Sequence, residues 1–207
     1  MEEWRKLADK AQRTLLPIGD GTRTSDFLWL VDAAYTKLST RVDISCRTLM
    51  GATDLELDAI PRPPPHGLSP ADLIQRARTA LEQLRGDHAM AGNIFVLYRL
   101  YGTNLGLLQG GPLWQAWEGH HDIAIQSAEG ALQVLNDAAV AWQASVDSYA
   151  MATSFPPTSP ARVAWISEGG RLARAAASGV NLAAGKVLVM RVSVLREYVA
   201  TVNVLTL

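Results

Sequence analysis

A chain of 207 residues with 48% hydrophobic and 19% charged side chains can bury a proper core without staples and is not of disordered composition. Its formal net charge is −1, and its lone cysteine, Cys46, rules out an internal disulfide framework and a thiolate zinc cluster. The charged start, MEEWRKLADK, has no apolar stretch of a secretory signal, and the longest uncharged run, Leu100 to Trp117, carries four glycines and a proline and makes a poor membrane span.

Residues 1–17 read as a short amphipathic helical arm with Trp4, Leu7 and Leu15 on its apolar side, closed by Pro17 and the following Gly-Asp-Gly. Residues 18–207 read as one helical domain. Ser25 or Asp26 can cap a long helix whose apolar stripe runs Val31, Tyr35, Leu38, Val42, Ser45 and Leu49 up to Gly51. The run IPRPPPHG, 60–67, cannot be helical, because consecutive prolines lack amide donors; it reads as a semi-rigid strap.

Ser69-Pro70-Ala71-Asp72 opens the next helix with a serine cap, a proline in the first helical position and an acid in the first turn. Its stripe is Ile74, Ala77, Leu81, Leu84, His88, Ala91, Phe95 and Tyr98, ended by the glycines from 102 to 111. A further stripe, from Ile125 through Leu132, Leu135 and Trp142 to Tyr149, completes a helical hairpin over 70–152. Pro156 and Pro157 break the chain, and Ser159-Pro160 restarts it in an Ala/Gly-rich helix fit for close packing. The last twenty residues are ambiguous: β-branched content argues for strand, while Leu188, Val192, Leu195, Val199 and Val202 make a helical stripe. The expected fold is all-α, an antiparallel helical bundle with a long central hairpin and a short N-terminal arm.

Charge is unevenly placed. Residues 102–161 contain five acids and no Lys or Arg, whereas 162–207 contain six basic residues against Glu168 and Glu197. This asymmetry suits helices docking through complementary faces. The lesser reading is nucleic-acid phosphate meeting Arg162, Arg171, Arg174, Arg191 and Arg196.

The stretch most suggestive of chemistry is PLWQAWEGHHDIA, 112–124, with His120 and His121 flanked by Glu118 and Asp122. Heptad projection puts Glu118 and His121 on the buried seam and turns His120 away. With a hairpin turn near residue 111, His88 and His121 fall on the order of 20 Å apart along the bundle, too far to share one metal. The segment then reads as a polar helix start whose acids suit the helix dipole. No nucleophile elbow, phosphate loop or zinc-protease helix is present. No catalytic residue, metal or cofactor is expected. Trp114 and Trp117, beside a turn, are the aromatic side chains placed to reach a partner.

Trp117-Glu118-Gly119 also resembles the turn of the small secreted helical hairpins named for their Trp-X-Gly motif. The resemblance spans residues 70–152. The chain departs from that family in its additional terminal helices, and no acid stands four residues after Tyr149.

Long stripes, six tryptophans and the lack of a catalytic constellation point to a non-enzymatic, self-assembling structural protein, with a virion (capsid or nucleocapsid) or filament subunit as the concrete case. Its expected partner is itself, with nucleic acid a further partner through the basic C-terminal third and with no membrane span; the cytoplasm or a virion is the expected setting. A partner-binding bundle, of secretion-associated or chaperone-like type, is the alternative, and a helical enzyme using His88 or His121 is the third reading.

Overall fold

The computed structural model describes residues 2, 6, 9, 10, 24–53, 69–102 and 111–205. Among these are four helices and no strand: α1 (Thr24–Thr53), α2 (Pro70–Gly102), α3 (Pro112–Thr153) and α4 (Pro160–Leu205). The fold is the all-α bundle that the periodicity implies. The arm residues Trp4, Leu7 and Leu15 and the strap 60–67 lie outside the described residues.

Helices α2, α3 and α4 each begin at a proline, which sacrifices an amide that has no partner in the first turn anyway. The carbonyls of the preceding Ser69, Gly111 and Ser159 accept the first helical hydrogen bonds, from Leu73, Gln115 and Val163, at 3.0, 3.1 and 3.3 Å. At α2 the cap is reciprocal. Ser69 Oγ accepts from the Asp72 amide at 3.1 Å, and the Ser69 amide donates to Asp72 Oδ2 at 3.2 Å.

The stripes of the first two helices face inward as their spacing requires, whereas on α3 Leu132, Leu135 and Trp142 are buried and Ile125 and Tyr149, at the ends of the expected stripe, are half-buried. Val31, Tyr35, Leu38, Val42, Ser45 and Leu49 are buried on α1, as are Ile74, Ala77, Leu81, Leu84, His88 and Ala91 on α2. The side chains of Phe95 and Tyr98 are outside the described set. The C-terminal segment is helix as far as Leu205, continuous with the Ala/Gly-rich part, so the ambiguity resolves in favour of helix over 187–205. Its buried face is not the expected one. Val187, Met190, Val194, Glu197 and Ala200 point inward, while Leu188, Val192, Leu195 and Val199 are about half exposed. Both faces of this stretch are apolar, so period alone cannot choose between them.

The chain forms two compact units. The first comprises Met1–Asp43, Gln83–Ala128 and Leu188–Leu207; the second comprises Ile44–Glu82 and Glu129–Val187. In the first, Leu30, Leu38, Leu84, Ile94 and Met190 are among the large fully buried side chains. In the second, the small residues of α4 allow the close approach expected of them. A Cβ on Gly179 would stand 3.0 Å from the Ala138 Cβ, and Ser145 Oγ donates to the Gly169 carbonyl at 2.7 Å.

Among the described helices, α4 over Pro160–Asn203 is long and apolar enough, by length and composition, to cross a membrane; 33% of its most apolar window is buried.

Candidate functional site

A buried polar cluster sits in the first unit, built from one side chain of each helix. Glu197 of α4 is fully buried, on the inward stripe between Val194 and Ala200. His88 of α2 reaches its Oε2 through Nε2 at 2.8 Å, and His121 of α3 reaches its Oε1 through Nδ1 at 2.8 Å. The Tyr35 hydroxyl of α1 donates to the same Oε1 at 3.0 Å and accepts from Trp117 Nε1 at 3.2 Å. An ionised carboxylate only accepts, so both imidazole nitrogens are donors here.

Burial alone pushes the Glu197 carboxyl up. The hydrogen bonds and positive charge of His121 and His88 prevail, and hold it below the usual carboxylate range. Tyr35 is shifted upward, by burial first and by the Glu197 charge next, so its phenol stays protonated and remains a donor.

His121 is held on three sides. Its ring stacks on Trp117, with centroids 4.7 Å apart and planes 15° apart, and lies 4.5 Å from the His88 ring. Gly92, one turn beyond His88 on α2, provides the room: a Cβ there would stand 2.5 Å from His121 Cε1.

This geometry overturns the separation of about 20 Å expected for His88 and His121. That separation takes the turn to lie at residue 111, whereas the described ends of the two helices are Gly102 for α2 and Pro112 for α3. Measured from those ends, the two residues differ by about five positions, roughly 7.5 Å of rise, which the imidazoles span by leaning together. Glu197 is the member that sequence reasoning missed, because a lone acid on a helix normally marks the solvent side. A usable signal was His88 on the apolar stripe between Leu84 and Ala91, a buried base in need of a partner.

Three further expectations are corrected. Trp114 and Trp117 do not reach outward; they are 4% and 3% exposed, because they share the inward stripe of α3 with His121 and Ala124. Trp117-Glu118-Gly119 lies within α3 and is not a turn, so the likeness to the Trp-X-Gly hairpins fails structurally. Glu118 and Asp122 likewise stand beyond the first turn of α3, where the helix dipole has little hold on them.

The basic residues of the C-terminal third differ in their partners. Arg171 forms a bidentate pair with Glu168 at 2.8 and 2.7 Å, and Arg191 pairs with Asp43 of α1 at 3.0 Å. Arg162 donates to the Phe155 carbonyl at 3.2 Å. Arg174 and Arg196 are exposed, and Arg196 borders a groove beside α3.

The outer side of α4 in the first unit is the second notable surface. Leu188, Val189, Val192, Leu195 and Val199 are each between 48% and 56% exposed. This ridge is flanked by two grooves. One is shared with α1 and lined by Tyr35, Ser39, Asp43 and Tyr198; the other is shared with α3 and lined by Ala116, His120 and Asn203. Neither a family model, nor a curated protein, nor a solved structure matches the chain.

Proposed function

We propose that the protein is a non-enzymatic structural subunit that associates with further copies of itself through the outer face of α4. The observation that carries this reading is the ridge of five half-exposed aliphatic side chains, Leu188 to Val199. It covers about 16 Å of helix at the usual rise. Contiguous apolar surface of this kind marks an interaction site on a soluble protein. A second copy suits it because the same face offers both a ridge and grooves to receive one, the self-complementarity that a two-fold contact requires.

The polar cluster supports a structural role. Glu197 accepts from His88, His121 and Tyr35, so its hydrogen-bonding capacity is directed at its neighbours rather than at a substrate. A single two-fold contact stops at a dimer. A capsid or filament needs a second contact, and the arm 1–17, with Trp4, Leu7 and Leu15, is the segment we assign to it.

Sedimentation velocity over a hundredfold dilution series tests the reading. Self-association gives a sedimentation coefficient that falls with dilution, or a fixed oligomer throughout. A monomer at every concentration contradicts it. The apolar composition of α4 favours a lipid surface as the second reading, and a monomer that floats with phospholipid vesicles would establish that reading instead.

A further inference from the structure

We infer that His88, His121 and Glu197 form a binding site for one divalent transition-metal ion of the zinc class. Each offers one ligand atom, and these atoms all lie within 4.8 Å of one another. They come from α2, α3 and α4, so an ion held there would tie three helices together. Two imidazoles and one carboxylate form the borderline donor set that suits zinc, cobalt or nickel; calcium and magnesium favour all-oxygen shells, and copper(I) favours sulfur.

The surroundings are those of a ligand set rather than of three side chains that happen to meet. Tyr35 fixes Glu197 Oε1 and is itself fixed by Trp117 Nε1, an outer layer of hydrogen bonds of the sort that orients metal-ligating carboxylates. The His121 ring has its place only because position 92 carries no side chain. His88 and Glu197 are 1% and 0% exposed, whereas 18% of the His121 side chain is open, which gives an ion its way in and leaves solvent access for a fourth ligand.

The present N···O distances of 2.8 Å are those of shared protons. Binding displaces to solvent the protons that His88 Nε2 and His121 Nδ1 direct at Glu197, and leaves those lone pairs for the ion. Ligand atoms around a tetrahedral ion at 2.0–2.1 Å stand about 3.3 Å apart. With one Glu197 oxygen on the ion, the hydrogen-bonded edge to that oxygen opens by roughly 0.5 Å, and the other edges, none longer than 4.8 Å, close within the reach of side-chain rotation.

The test uses the full-length, untagged protein, stripped with a chelator and titrated with cobalt(II), followed by displacement with zinc. The expected result is one cobalt per chain with the intense visible bands of four-coordinate cobalt(II), bleached by one equivalent of zinc. His121→Ala, at the most open of the three positions, should weaken binding about 100-fold or more while keeping the helical circular dichroism. Absence of visible bands together with a flat zinc calorimetric titration of the unmodified protein overturns the inference. So does binding that survives in a folded His88→Ala/His121→Ala variant, since it would place the ion elsewhere.

Discussion

Gly92 and His121 meet across α2 and α3 so closely that a single methyl group cannot be added between them: a Cβ on Gly92 would lie 2.5 Å from Cε1 and 3.0 Å from Nε2 of the ring. The imidazole has nowhere to retreat. Trp117 covers one face, His88 lies against it, and Nδ1 is bonded to Glu197. Gly92→Ala gains about 1 kcal/mol of helix propensity but overpacks a fixed ring at a cost of about 1–3 kcal/mol. A net loss of about 1 kcal/mol is expected in chemical denaturation. Gly86, on the exposed side of the same helix with nothing within 4 Å of its would-be Cβ, provides the control. Gly86→Ala should stabilise by about 0.5–1 kcal/mol, and a stabilising Gly92→Ala would contradict the placement of His121.

Removing the carboxylate should cost more than removing its tyrosine donor. Glu197→Gln turns an amide NH2 toward groups that donate to the wild-type carboxylate, and the loss of a buried ionic partner costs about 3–5 kcal/mol. Tyr35→Phe deletes one donor and strips Trp117 Nε1 of its hydroxyl acceptor, for about 1–3 kcal/mol. Urea denaturation of both variants checks the order; equal or negligible losses would mean that the cluster is open to water.

The cap of α2 gives a pH-dependent prediction. The Ser69 hydroxyl and then the Ser69 amide hold the Asp72 carboxyl below its ordinary range. A lowered folded pKa means that this contribution is complete above the unfolded carboxylate range and disappears as pH falls through the folded value. Ser69→Ala should cost about 1 kcal/mol at neutral pH, and the gap to wild type should narrow on acidification. A gap that widens toward low pH would reverse the assigned sign.

The helices were legible wherever one face alone is apolar. Steps of three and four from Val31 to Leu49, and from Ile74 to Ala91, identify both helices and their buried sides, because polar residues occupy the other positions. On α4 the same reasoning reaches the helix but takes the wrong face: Val187, Met190 and Val194 compete with Leu188, Val192 and Leu195, and only tertiary packing separates them. The cluster was illegible for a different reason. His88, His121 and Glu197 are far apart in sequence, and their meeting depends on where α2 stops, an end that the glycines at 102, 106, 110 and 111 leave open over some nine residues. One turn of error there is about 5 Å of register.

The arm should be separable from the helices. Lys10 places its ammonium 3.8 Å from the centroid of the Trp29 ring on α1, a contact worth about 0.5–1 kcal/mol at an exposed site. Deleting residues 1–17 should therefore leave circular dichroism per residue and the cooperative melt largely intact, while size-exclusion chromatography loses particles larger than the α4-mediated oligomer. Loss of the cooperative melt would instead make the arm part of the core.

The central claim is that copies of the chain meet through the outer face of α4, and light scattering on a surface variant tests it most directly. Leu195→Glu and Val199→Lys together replace two half-exposed side chains on the ridge without touching the buried Val194, Glu197 or Ala200. Multi-angle light scattering of the wild-type protein should give a multiple of the 22.4 kDa chain mass, and the double variant should give the chain mass itself with an unchanged circular dichroism spectrum. A folded double variant that keeps the wild-type oligomeric mass would contradict the account.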